Sequence, residues 1–135
     1  MKKYSFFLII SFFLVSCYDK TSSNPTEVYQ LWIGTKPSKQ IKVINGQYWE
    51  SGHWTKEYVL FLELQTDKSF WDKFKKENNL IIDTIKNEMI TSEQPKWFNP
   101  SKNSIQYKIN DHFDQGSRYY EDLTNNKIYI YEIQL

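Results

Sequence analysis

A polar cluster in the last third of the chain, residues 110–118, combines side chains that could perform chemistry. Asp111, His112 and Asp114 supply two carboxylates and an imidazole, and the only arginine, Arg118, follows them. Such groups can ligate a metal ion or transfer protons. However, three neighbouring ligands without a distant fourth match no recognised spacing, and Asp, Asn and Gly also satisfy turn backbones. We interpret the segment as a connection and keep Asp111, His112 and Asp114 as weak candidates for a metal or catalytic site.

Other catalytic arrangements find little support. The chain has two histidines, His53 and His112, and no Gly-x-Ser-x-Gly elbow that would present a serine nucleophile. Its four glycines are scattered, at 34, 46, 52 and 116, so there is no glycine-rich phosphate loop. No pair among the 16 acidic residues stands out for glycoside hydrolysis. We therefore predict no cofactor and favour a binding or accessory protein over an enzyme.

Aromatic residues make up 18% of the chain, and several lie outside the predicted core faces. Trp and Tyr are rigid and amphipathic, so they stack on sugars and anchor protein interfaces. A small domain without disulfides can equally use them as core, and both interpretations stay open. The possible binding surface comprises Trp49, Trp54, Trp97, Phe98 and Tyr119. Its partner would be a protein or a glycan.

The chain begins with a segment typical of an export signal. Met1 is followed by Lys2 and Lys3, and residues 5–13 are almost wholly apolar. That apolar run is too short to cross a hydrocarbon layer of about 30 Å as a stable helix. The segment is therefore predicted to direct export.

The four residues Leu14-Val15-Ser16-Cys17 resemble the lipobox of bacterial lipoproteins. The resemblance implies that residues 1–16 are a cleaved signal peptide and that Cys17, the only cysteine, receives a diacylglyceryl group. It also implies an envelope protein, anchored by lipid to the cell membrane or the outer membrane with its domain outside the cytoplasm. Buried methylenes contribute about 0.8 kcal/mol each, so several acyl chains would hold the protein firmly.

Residues 17–24 are predicted to be a flexible lipidated tether, and residues 25–135 a single domain. The 17 basic and 16 acidic residues nearly cancel, so the chain lacks the electrostatic footprint of a nucleic-acid-binding protein. The expected function is a lipid-anchored, non-enzymatic binding or accessory module of the cell envelope. The alternative is a small envelope enzyme or metal-binding protein that uses the region of Asp111, His112 and Asp114.

The first half of the domain is predicted to contain two helices and a strand meander. Asn24-Pro25-Thr26-Glu27 is typical of a helix start, and Gly34 of a helix end. Residues 40–65 have strand character with turn signals at Asn45-Gly46 and Ser51-Gly52. Residues 67–78 switch to helical spacing, and either Thr66 or Asp67 can cap this helix. The alternating face of Tyr58, Leu60, Leu62 and Leu64 is expected to pack against Phe70, Trp71 and Phe74.

The second half is predicted to be mainly strands. Residues 80–90 suit a helix better than a strand, although no good cap is visible, and residues 105–109 form a short alternating strand. Residues 117–122 and 128–134 flank a turn signal and form a terminal hairpin. Because helices and strands do not alternate regularly, the order indicates an α+β fold, with an antiparallel sheet covered by helices on one face.

Overall fold

The computed structural model describes residues 18–85 and 91–135. Its elements are β1 (Lys20–Ser22), α1 (Pro25–Ile33), β2 (Ile41–Glu50), β3 (Tyr58–Thr66), α2 (Lys68–Glu77), β4 (Leu80–Ile82), β5 (Ile105–Ile109), β6 (Arg118–Asp122) and β7 (Lys127–Gln134). The predicted signal peptide, the lipobox with Cys17, and residues 86–90 lie outside the described residues. Among the described helices, neither is long and apolar enough to span a bilayer.

The seven strands form one sheet in the order β1-β2-β3-β7-β6-β5-β4, and every neighbouring pair is antiparallel. β2 and β3 form one hairpin, and β6 and β7 form the predicted C-terminal hairpin. The two halves of the chain meet where β3 pairs with β7, at the centre of the sheet. The predicted single α+β domain with an antiparallel sheet and two helices is confirmed.

α1 begins at its predicted cap, and α2 begins at Asp67, one of its two predicted cap residues. The Asn24 side chain accepts a hydrogen bond from the Glu27 amide at 3.0 Å, and Asp67 accepts one from the Phe70 amide at 2.8 Å. These bonds satisfy amides that have no partner inside the helix. α1 ends at Gly34, whose φ of 83° is the left-handed conformation that glycine adopts at low cost. The helix limits therefore follow from local side-chain chemistry.

One predicted turn is wrong. β2 runs without interruption through Asn45-Gly46, with a register irregularity between Val43 and Asn45. Gly46 is buried beneath α1, where an added Cβ would lie 2.8 Å from the Val28 Cβ. The glycine therefore permits a helix to approach the strand closely, which is the other common reason for glycine inside a strand. The second signal, Ser51-Gly52, does lie in the β2–β3 connection.

One face of the sheet packs against both helices, as predicted. Leu60, Leu62 and Leu64 are fully buried, and they share a cluster with Val28 of α1 and Trp71 of α2. Phe70 and Phe74 pack against the same cluster. Removing this apolar surface from water contributes about 25 cal/mol per Å², which makes the cluster the main source of stability.

The opposite face of the sheet is covered by the irregular segment 91–104. Phe98 is 1% exposed and lies edge-on to Phe61 and Tyr129, with ring centroids 5.1 and 5.5 Å away. Asp122, also buried, accepts hydrogen bonds from the amide and hydroxyl of Ser101 and so fixes the end of this segment. The sheet therefore has a core on each side.

Two short edge strands correct the predicted secondary structure. Leu80–Ile82 is the strand β4, paired with β5, and not the start of a helix. Lys20–Ser22, within the predicted flexible tether, forms β1 and pairs with the end of β2. Asp19 fixes this start further, because its carboxylate accepts hydrogen bonds from the Gly52 amide at 3.0 Å and the Trp49 indole at 3.2 Å.

Candidate functional site

Asp111, His112 and Asp114, the weak candidates for a metal or catalytic site, lie in the connection between β5 and β6. Asp111 and His112 are exposed, and one Asp111 oxygen accepts a hydrogen bond from the Phe113 amide. Asp114 accepts one from the Ser117 amide at 2.9 Å. These bonds satisfy loop backbone, which is the ordinary role of aspartate in a connection. Within residues 18–85 and 91–135, no set of three or more His, Cys, Asp and Glu side chains is placed to hold a metal ion.

Arg118 is engaged in an ion-pair network. Its Nε lies 3.1 Å from the Asp83 carboxylate, and its Nη1 lies 3.6 Å from Asp114 and donates a hydrogen bond to the Ser117 carbonyl at 2.7 Å. Asp83 is 4% exposed and also accepts a hydrogen bond from Gln106 at 3.0 Å. Because a buried carboxylate needs such partners, the arginine has a structural role here.

The five aromatic candidates for a binding surface have three different environments. Phe98 and Tyr119 are each 1% exposed and belong to the two cores, so they cannot form a surface. Trp49 and Trp97 are half-buried, and Trp97 packs against Phe98 with ring centroids 6.0 Å apart. Trp54, at the tip of the β2–β3 connection, is 100% exposed. The core interpretation is correct for Phe98 and Tyr119, and among the five candidates only Trp54 is freely exposed.

A cleft of about 500 Å³ opens where the C-terminal halves of α1 and α2 pass over the sheet. Aromatic side chains dominate its lining: Tyr29 and Trp32 from α1, Phe70 and Phe74 from α2, and Tyr48 and Tyr58 from the strands. The remaining lining residues are Leu31, Ile33, Lys73, Glu77, Asn78 and Glu132. This cavity is large enough for a small organic ligand.

Glu132, from β7, places a carboxylate in this aromatic cleft. One of its oxygens accepts a hydrogen bond from the Tyr119 hydroxyl at 2.7 Å, and the other accepts one from Tyr58 at 3.2 Å. Burial raises the pKa of Glu132 above its ordinary value, although hydrogen bonds from the Tyr119 hydroxyl, the Trp32 indole and the Tyr58 hydroxyl oppose the shift by stabilising the anion. Burial, followed by the field of Glu132, also raises the pKa of both tyrosines, so they remain donors.

The rings beside Glu132 form ordered pairs. Tyr48 and Tyr58 stack with centroids 6.0 Å apart, and Trp32 and Phe74 lie 5.3 Å apart. The Tyr48 hydroxyl donates to Glu50, a second carboxylate close to the cleft. Such contacts hold the rings in place before any ligand arrives, which lowers the cost of binding.

Comparisons with known protein families, with curated proteins and with solved structures find no match for this chain. The site must therefore be interpreted from its own geometry.

Glu132 was not predicted from the sequence, although the alternation of side chains along β7 contains a signal for it. Ile128 and Ile130 point to the helix-covered core, and Glu132 occupies the next position of the same alternation. A carboxylate at a core position is unusual and indicates either a buried pair or a site. The cleft itself could not be inferred, because its walls come from elements that are distant in the chain.

Electrostatics favour a positive ligand in this cleft. Glu132 and Glu77 line it, whereas Lys73 is the basic lining residue and lies 3.7 Å from Glu77. The last turns of both helices also line it, and helix C-termini carry partial negative charge. Aromatic faces attract cations as well. The arrangement suits a cationic group attached to an apolar body.

Proposed function

We propose that this protein is a lipid-anchored binding module of the cell envelope, and that its helix–sheet cleft binds a small aliphatic or aromatic amine. The observation that carries the proposal is the half-buried carboxylate of Glu132 among aromatic rings. The anchor rests on the resemblance of Leu14-Val15-Ser16-Cys17 to a lipobox.

The carboxylate retains capacity for a ligand. The two oxygens of an ionised carboxylate can together accept about four hydrogen bonds, and Tyr119, the Trp32 indole and Tyr58 supply three donors to Glu132. An ammonium group could supply the remaining donor and neutralise the charge. The rings of Trp32, Phe74 and Tyr48 would cover the apolar part of the ligand and add cation–π attraction.

Benzylamine and benzyl alcohol, which have similar shapes and different charges, test the proposal. We expect benzylamine to change the tryptophan emission of the protein because Trp32 lines the cleft, and benzyl alcohol to bind at least about tenfold more weakly, or ~1.4 kcal/mol. Glu132→Gln keeps the shape and should lose this preference. The wild-type preference should also weaken as the pH falls through the raised pKa of Glu132, because protonation removes the negative charge.

Glu93→Gln is the matched control, since Glu93 is exposed and does not line the cleft. It should bind benzylamine like the wild type. Equal binding of the amine and the alcohol, or full amine binding by Glu132→Gln, would reject the amine class. Binding of a neutral methyl glycoside in place of the amine would indicate a glycan ligand.

The anchor has its own test in a bacterial host. The protein should partition into detergent, and its mass should show removal of residues 1–16 and acylation of Cys17. Cys17→Ala should remain unprocessed. A mature protein without lipid would contradict the anchor and leave the cleft proposal untouched.

A further inference from the structure

One end of the sheet, here called the hairpin end, consists of the β2–β3 connection (residues 51–57), the β5–β6 loop (residues 110–117) and Leu135. The antiparallel register places these parts at one end of the strands, because β3 begins, β7 ends and β6 begins there. The Gln115 side chain also bonds to the backbone of Leu135. The β6–β7 turn, with Leu123, lies at the opposite end.

The hairpin end presents large apolar side chains to solvent. Trp54 is 100% exposed, Phe113 is 89% exposed and Leu135 is 66% exposed. Tyr18, just before the first strand, is 84% exposed. A tryptophan and a phenylalanine this exposed, at loop tips on the same end of the sheet, gain little from the fold. Such residues commonly mark a surface that contacts another apolar phase.

The start of the described chain is fixed at this same end. β1 pairs Lys20 with Glu50, the last residue of β2, and Asp19 is hydrogen-bonded to the Gly52 amide at 3.0 Å. Cys17 is two residues before Asp19, and two residues span about 7 Å at most. A lipid on Cys17 would therefore hold the hairpin end, and no other part of the domain, against the bilayer.

We propose that the hairpin end docks on the bilayer surface, with Trp54 inserted at the level of the headgroups and Phe113 and Tyr18 beside it. Tryptophan and tyrosine favour this level because their rings are amphipathic. The inference rests on the proposed lipid anchor. The anchor keeps the hairpin end close to the membrane, so insertion of Trp54 is an intramolecular step with a high effective concentration. Even a side chain with low affinity for the bilayer can then remain inserted.

The charges at the hairpin end indicate which lipid headgroups docking requires. The hairpin end and the residues beside it carry both signs: Lys20 and Lys56 against Asp19, Glu57, Asp111 and Asp114. No basic patch is present to require anionic lipids. Docking should therefore occur on zwitterionic phosphatidylcholine and change little with salt.

The test uses the acylated protein in phosphatidylcholine vesicles with and without bromine on the acyl chains, which quenches nearby tryptophan. The emission of Trp54 is taken as the difference between the wild type and Trp54→Phe. We expect brominated lipid to remove at least half of this difference, and plain lipid to shift it to the blue. Phe113→Ala should reduce the quenching. Leu123→Ala, which removes an exposed apolar side chain from the opposite end, should leave it unchanged.

Failure of the anchor and failure of docking are distinguishable. If Cys17 is not acylated in the host, the chain from Cys17 onward, which contains every described element, is coupled through the Cys17 thiol to a maleimide lipid in the same vesicles. Quenching of Trp54 then supports docking without the natural anchor. An unquenched, unshifted Trp54 on either protein would overturn docking and indicate that this surface awaits a protein partner.

Discussion

Glu132 occupies a position that the alternation of β7 assigns to the core. Its carboxyl group is therefore partly removed from water, which disfavours its charged form. Tyr58 and Tyr119 donate to it, yet burial still raises its pKa. A fold selected for stability alone would place a neutral or apolar side chain here. A carboxylate at this position is what the proposed amine site requires, at a cost in stability.

The raised pKa predicts a pH-dependent stability that Glu132→Gln removes. A group with a raised folded pKa contributes its full stability below its ordinary, unfolded pKa, and this contribution is lost as the pH rises through the folded pKa. We therefore expect the free energy of unfolding of the wild type, minus that of Glu132→Gln, to decrease from acid to neutral pH. Urea unfolding across this range measures it. A constant difference would contradict the raised pKa.

Gly46 predicts a second effect at the residue scale. An added Cβ would lie 2.8 Å from the Val28 Cβ, so Gly46→Ala must displace α1 from the sheet. We expect a loss of about 1 to 3 kcal/mol in urea unfolding, as for other overpacked cores. In the double variant with Val28→Gly, which removes the Val28 Cβ, part of this loss should be recovered. Strictly additive losses would show that the two side chains do not compete for the same space.

Some residue roles could be predicted from sequence and others could not. Asn24, Asp67 and Gly34 act on backbone within a few residues, so their capping roles were predicted correctly. The role of Gly46 depends on a helix that precedes it in the chain and crosses it in space. The burial of Phe98 and Tyr119 likewise depends on distant partners, and a solvent-exposed Trp54 cannot be distinguished from them by residue type.

At the scale of elements, the interface between β3 and the helices carries the main prediction of stability. Leu62 is fully buried in the cluster that joins both helices to the sheet. Leu62→Ala should therefore lower the free energy of unfolding by about 2 to 5 kcal/mol. Leu123→Ala makes the same chemical change at a side chain that is 69% exposed, and it should cost less than about 0.5 kcal/mol. Similar losses for both variants would contradict the assigned core.

The predicted elements fail where they are short. β5 was predicted with its correct limits, and α2 with its correct cap, because each has enough residues to show its period. β1 and β4 have three residues each and lie at the two edges of the sheet. Three residues cannot display a period of two, so their strand structure depends on the neighbouring strand that they join.

For the molecule as a whole, the central strands link two cores. β3 directs Leu60 and Leu62 to the helices and Phe61 to the opposite face, where Phe98 packs against it. β7 does the same with Ile130 and Tyr131. Loss of either core would expose one face of these shared strands, so both cores are expected to unfold together.

Phe98→Ala tests this coupling. The ring is 1% exposed and contacts Phe61, so its removal should cost about 3 to 5 kcal/mol. Unfolding of the variant should remain one transition, with tryptophan emission and far-UV circular dichroism changing at the same urea concentration, because the sheet cannot lose one face alone. Phe113→Ala, which removes an exposed ring, should leave stability within about 0.5 kcal/mol of the wild type. The contrary result would be a change in the tryptophan emission of the Phe98 variant at a lower urea concentration than the change in dichroism. If comparison with Trp97→Phe assigned that early change to Trp97, segment 91–104 would be a separate folding unit. The sheet would then fold without it.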